Sequence, residues 1–105
     1  EKPDEPGYVY LLSNPCFSLM KIGRSFDVPD LRAQQLSRPT GVPENFKVEL
    51  FLYTSKSHAV ERALHRSLNN LRPNHSREFF NVTVDQMRLL FRCLDEGPPD
   101  REMSA

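Results

Sequence analysis

The chain has no tryptophan, four glycines and only two cysteines in its 105 residues. Cys16 and Cys93 cannot make a disulfide framework, and two reduced thiols fit them better. With three scattered histidines they also lack the paired spacing of a four-ligand structural zinc site. No apolar run approaches the roughly 18 residues of a membrane span, and no signal peptide is evident. The expectation is an intracellular chain, cytoplasmic or nuclear, with no membrane partner. Internal repeats and low-complexity stretches are absent as well.

Net charge is also missing, with 14 basic and 14 acidic residues, but that balance hides an asymmetry. The ends, "EKPDEP" at 1–6 and "DEGPPDREMSA" at 95–105, hold two of the bases and seven of the acids. The segment between them, 7–94, keeps 12 bases against seven acids, or +5. Charge-rich ends with little to bury read as disordered flanks, 1–6 and 95–105, around one domain at 7–94. A basic domain suits a polyanionic partner, and equally a merely solvated surface.

What is present is a short α+β pattern. "YVYLL" at 8–12 and "LMKI" at 19–22 read as two strands, parted by a Ser-Asn-Pro turn and closed by Gly23. Asp27 and Pro29 open a helix over 28–36, which "RPTGVP" ends. In "FKVELFLY" at 46–53, Phe46, Val48 and Leu50 alternate with Lys47 and Glu49, predicting a third, half-buried strand. Residues 57–70 make a helix whose stripe is Val60, Ala63, Leu64, Ser67, Leu68 and Leu71. A short "EFFNV" strand follows. Thr83 and Gln86 then form a T-x-x-Q capping box ahead of a helix over 84–94. The order predicts a small α+β domain with an antiparallel sheet.

Several side chains in this pattern can carry chemistry. Alternation puts Tyr8, Tyr10 and Leu12 on one face of the first strand. If the first two strands pair, Lys21 lies beside a tyrosine. An ammonium there favours the phenolate, which can accept a proton from water. The same residues also suit a tyrosine packed at a sheet rim and a lysine in solvent. Arg32, in the expected helix, has the planar donor fork that holds phosphate, as have Arg24, Arg38 and Arg72, although most helical arginines only face water. Glu61 lies beside the apolar stripe, four residues before His65. It can hold one Mg²⁺, which takes one or two protein carboxylates plus waters and phosphate, or simply pair with His65 on the helix surface. Asn81 can orient a water or help a turn.

The ordered set "GYVYLL…MKIGRS…DLRAQQLS…TGVP…AVERALHRSL…REFF" resembles the GIY-YIG nuclease superfamily over residues 7–82. It is closest to the branch whose second motif reads K-I-G, known from tailed-phage DNA-binding proteins and some fungal meiotic gene products. The resemblance implies a three-stranded antiparallel sheet flanked by helices, and hydrolysis of phosphodiesters around a single divalent metal, Mg²⁺ or Mn²⁺. It matches the GIY tyrosine to Tyr10 and the YIG segment to Lys21-Ile22-Gly23. The helical arginine matches Arg32, the metal-binding glutamate Glu61 and the late asparagine Asn81. Lys21 departs from the many members that carry a second tyrosine there. The implied roles are Tyr10 as proton acceptor, Lys21 as its activator, Arg32 on the phosphate and Glu61 on the metal. Arg24 and His65 would add phosphate contacts, and the expected partner is nucleic acid, DNA foremost. Two rival readings keep the same residues in view. One is a binding module of this fold that has lost cutting. The other is a protein-interaction domain, which would ignore heparin resin at low salt.

Overall fold

The computed structural model describes residues 4–26, 46–72 and 78–97. The helix expected at 28–36 with its Arg32, and Arg38 beyond it, lie outside them. Strand β1 (Gly7–Asn14) turns at Pro15-Cys16 into β2 (Phe17–Ser25). The pair is antiparallel, with Tyr10 opposite Gly23, Leu11 opposite Ile22 and Leu12 opposite Lys21. Both strands run longer than the apolar runs alone suggest, because cross-strand pairing carries polar Ser13, Asn14, Arg24 and Ser25 into the ladder. β3 (Lys47–Thr54) pairs with the other edge of β1. A two-residue β4 (Phe79–Phe80) pairs with β2 at Lys21 and Met20. The sheet order among the described residues is therefore β3-β1-β2-β4, with the short fourth strand expected at "EFFNV" added to the three that the resemblance implies.

One face of the sheet packs against helices α1 (Ser57–Ser67) and α2 (Val84–Leu94). Its core joins Val9, Leu11, Ile22 and Leu52 to Leu64, Phe80, Val82, Met87 and Phe91. Tyr10 and Leu12 point the other way and are buried in a second cluster with Phe46 and Val48. The alternation of the third strand does not survive pairing. A register shift between Leu11 and Leu12 sets Leu50 opposite Leu11 but Val48 opposite Leu12. Phe46 and Val48 thus join the second cluster, while Leu50 packs on the helical side. Such a shift reverses the facing of every residue beyond it.

The helices are capped in two ways. α2 uses its own sequence: Gln86 N donates to Thr83 Oγ1 at 3.2 Å, and Thr83 N to Gln86 Oε1 at 2.8 Å. That is the expected capping box. α1 has Lys56 at its N-cap, whose side chain makes no capping hydrogen bond. Its orphan N–H groups are met by the segment before β1. His58 N and Ala59 N donate to the two oxygens of Asp4, and Ser57 N to Glu5 O. At the other end of the chain, Tyr53 N donates to Asp95 Oδ1, and Thr54 Oγ1 and Ser55 N donate to Glu96. These bonded acids come from the two segments expected to be disordered flanks.

α1 also stops sooner than its stripe predicts. It ends at Ser67, and Asn69–Leu71 form a 3₁₀ turn. Asn69 and Asn70 are poor helix formers that favour turns. Leu64 is core, but Ala63, Ser67 and Leu71 are exposed. The inward face is rotated toward Glu61 and His65, which brings both against β2.

Candidate functional site

The stretch Lys21-Ile22-Gly23-Arg24 displays chemistry from both faces of β2. β4 pairs with β2 only at Met20 and Lys21, and Ile22 N donates to Glu78 O at 2.8 Å. Beyond Ile22 no described strand covers this edge, so among the described residues the stretch forms a rim of the sheet.

On the helical side, Arg24 and the Ile22 carbonyl meet α1. Arg24 Nε lies 3.6 Å from Glu61 Oε1, and His65 Nε2 lies 4.0 Å from Glu61 Oε2. The Glu61 side chain is only 16% exposed. Burial pushes its carboxyl above the ordinary range, His65 and Arg24 pull it back, and the charge of Glu78 adds to the rise. A half-buried carboxylate with one guanidinium and one imidazole at loose distances keeps lone pairs available. His65 is fixed more firmly. Its Nε2 is 2.9 Å from the Ile22 carbonyl, an acceptor only, so that nitrogen carries the proton. Its ring rests 5.1 Å from that of buried Phe80, which also carries the Arg72 guanidinium at 5.0 Å.

On the opposite face stand Tyr10 and Lys21. Their register makes them diagonal neighbours, since Tyr10 faces Gly23 and Lys21 faces Leu12. The phenol lies across Gly23. A β-carbon built there would sit 2.6 Å from the Tyr10 hydroxyl and 2.8 Å from Cζ, so only glycine lets the ring reach this rim. Lys21 is 7% exposed. Its Nζ is 3.0 Å from Glu78 Oε1 and 5.4 Å from the centre of the Phe79 ring. Lys21 thus has a carboxylate as an ion partner. Asn81 stays outside the cluster: it is exposed after β4, and its backbone N–H is bound to Leu71 O.

Sequence reasoning missed Glu78. It stands in the quoted "REFF", and the available signal was physical. A lysine inside an apolar strand needs a counter-charge when buried, and a carboxylate beside two aromatics at a short strand is a suitable source. Reasoning from the strand pattern also missed Phe26, just past the end of β2.

For a divalent cation, the fit rests on Glu61. Among the described residues no three His, Cys, Asp or Glu side chains gather as a ligand set. A single protein carboxylate still suits Mg²⁺, which keeps several waters and takes phosphate oxygens. A groove of about 580 Å³ between α1 and α2 is lined by Ala59, Val60, Ala63, Leu64, Leu90 and Leu94 among others. None of the candidate residues faces it, so the rim of β2 is the better site.

No described helix is long and apolar enough to cross a membrane. No curated protein and no solved structure matches the chain. Residues 7–95, however, match the family model of the T5orf172 domain, and that span contains the whole sheet, both helices and every residue of the rim. The chain belongs to the T5orf172 domain family, a nuclease-related group of GIY-YIG- or HNH-like domains.

Proposed function

We propose that the domain is a divalent-metal-dependent endonuclease of the K-I-G branch of the GIY-YIG superfamily, acting on DNA. The observation that carries this reading is the half-buried Glu61 carboxylate, facing Arg24 and His65 at the rim where the Tyr10 hydroxyl crosses Gly23. Glu61 would hold one Mg²⁺ or Mn²⁺, which when bound supplies Lewis-acid polarisation of a phosphoryl oxygen. Tyr10, as its phenolate, would accept a proton from the attacking water. Arg24, and Arg32 from outside the described residues, hold the scissile phosphate and offset its developing charge. His65, protonated at Nε2, keeps α1 in register with β2. Lys21 supplies positive potential on the face that Tyr10 shares.

Nicking of supercoiled plasmid in Mg²⁺ or Mn²⁺ tests this. Glu61→Gln should abolish the metal-dependent activity with the fold intact, since an amide is a far poorer Mg²⁺ ligand. Tyr10→Phe should lower the rate on the order of 10²–10⁴-fold if the phenol is a general base, whereas Tyr8→Phe should be silent. Activity that survives Glu61→Gln would refute the assignment. One observation favours a second reading, a binding module without cutting: the Lys21 ammonium is already committed to Glu78. A wild-type domain that binds DNA but nicks it under neither metal would establish that reading instead.

A further inference from the structure

β2 is followed by an aromatic ring that the core does not take. Phe26 is 60% exposed. One exposed phenyl group is unremarkable by itself, because folded proteins leave much apolar surface outside. Its surroundings make the difference. The ring centre lies 5.9 Å from the Arg24 guanidinium carbon, and Arg24 Nε is 3.6 Å from Glu61. One side chain therefore separates Phe26 from the carboxylate at the centre of the rim. The other exposed large apolar groups among the described residues differ. Phe51 packs edge-on to Tyr8 at 6.0 Å, and Leu71, Leu89 and Leu90 have no flat face.

We propose that Phe26 and Arg24 form a nucleobase site, with the phenyl ring stacked on a base and the guanidinium on the adjoining phosphate. The two groups match the two halves of a nucleotide. The guanidinium has five donors, its side chain is 31% exposed, and at 3.6 Å its Glu61 contact is a loose one, so donors remain for phosphate. The flat apolar face suits a heterocycle, and stacking is indifferent to which base is offered. The site selects an unpaired nucleotide. In a duplex both faces of each base are already stacked, so only a single strand or a locally opened one presents a free face to Phe26. The +5 charge of the segment 7–94 draws such a polyanion in. The inference deepens the nuclease reading and rests on it only for what happens beside the base.

The test is binding by the full chain in EDTA at low salt, where no cutting occurs. Fluorescence anisotropy compares a short single-stranded oligonucleotide with the same sequence as duplex. A 2-aminopurine reports stacking directly. Phe26→Ala and Phe26→Leu should weaken single-strand binding about tenfold or more and abolish the 2-aminopurine response. Phe26→Trp should retain both, and duplex affinity should be unchanged throughout. Phe26→Leu binding as tightly as wild type would overturn the proposal, because aromaticity would not matter. Equal loss on single strand and duplex would overturn it too. A wild type that never nicks, yet loses single-strand affinity on Phe26→Ala, sinks the nuclease reading and keeps the base site. A wild type that nicks, with binding indifferent to Phe26, does the reverse. Binding to neither form removes both.

Discussion

Gly23→Ala isolates the contact that brings Tyr10 to the rim. The added methyl would lie 2.6, 2.8 and 2.9 Å from the hydroxyl, Cζ and Cε1 of the phenol. No real β-carbon tolerates three such contacts, so the ring or the strand must shift. The ring has little room: Tyr10 is 1% exposed and packs with Leu12, Phe46 and Val48. Overpacking of this kind costs about 1–3 kcal/mol, and a rigid ring puts the strain toward the upper end. Losing glycine's freedom in the unfolded chain returns about 0.4–1 kcal/mol. Among the described glycines only Gly97 has a positive φ, so the cost at Gly23 is steric rather than conformational. The expected net loss is about 2 kcal/mol, a fall in Tm of about 8–16 °C for a domain of this size. Urea or thermal unfolding measures it, and a Tyr10→Leu background supplies the control. There the methyl meets no ring, and Gly23→Ala should be close to neutral. Equal destabilisation in both backgrounds would refute the contact, as would no effect in the wild type.

Leu64, 3% exposed between α1 and the sheet, should lose about 2–5 kcal/mol on truncation to alanine; a change too small to resolve by urea unfolding would mean that α1 does not close the core. Acid should loosen both end segments. Glu96 is held below the usual carboxylate range by the Thr54 hydroxyl, then by Ser55 N–H. Asp4 is pushed up by desolvation but ends below its ordinary value, because the N–H groups of Ala59, Glu5 and His58 outweigh that push. A depressed folded-state pKa contributes stability above the unfolded value and loses it as pH falls through the folded one. Asp4→Asn with Glu96→Gln should therefore flatten the acid side of a Tm-versus-pH curve, and an unchanged slope would show that neither carboxylate is linked to folding.

Local chemistry was legible in the sequence where the interacting groups are close along the chain. The Thr83–Gln86 box spans four residues, and the alternation of Tyr8, Tyr10 and Leu12 against Val9 and Leu11 is a property of one strand. Both appear in the structure as expected. Long-range partners were not legible. Lys21 finds Glu78 across 57 positions, and it does so because a two-residue strand docks beside β2. Asp4 and Glu5 look like a charged tail by composition, yet their oxygens cap a helix that cannot cap itself. The pattern at 46–50 promised a common face for Phe46, Val48 and Leu50, and a shift in pairing register divided it. Of the candidate site, Glu61 and His65 followed from helical spacing, but their contact with Arg24 and the Ile22 carbonyl required the tertiary rotation of α1.

Asp4 and Glu5 bind Ser57, His58 and Ala59, while Asp95 and Glu96 bind Tyr53, Thr54 and Ser55. The backbone thus arrives and departs at one corner, the turn between β3 and α1. Among the described residues the entering and leaving segments are therefore fastened at one corner, which would serve as a single pivot for the sheet. Rotation about that pivot would carry the Lys21–Arg24 rim as one rigid piece, sweeping it over an extended strand without deforming the sheet. As pH falls, the raised Glu61 carboxyl at the rim takes up its proton before the depressed Asp4 and Glu96 carboxyls that fasten the corner, so the pivot outlasts the charge of the rim.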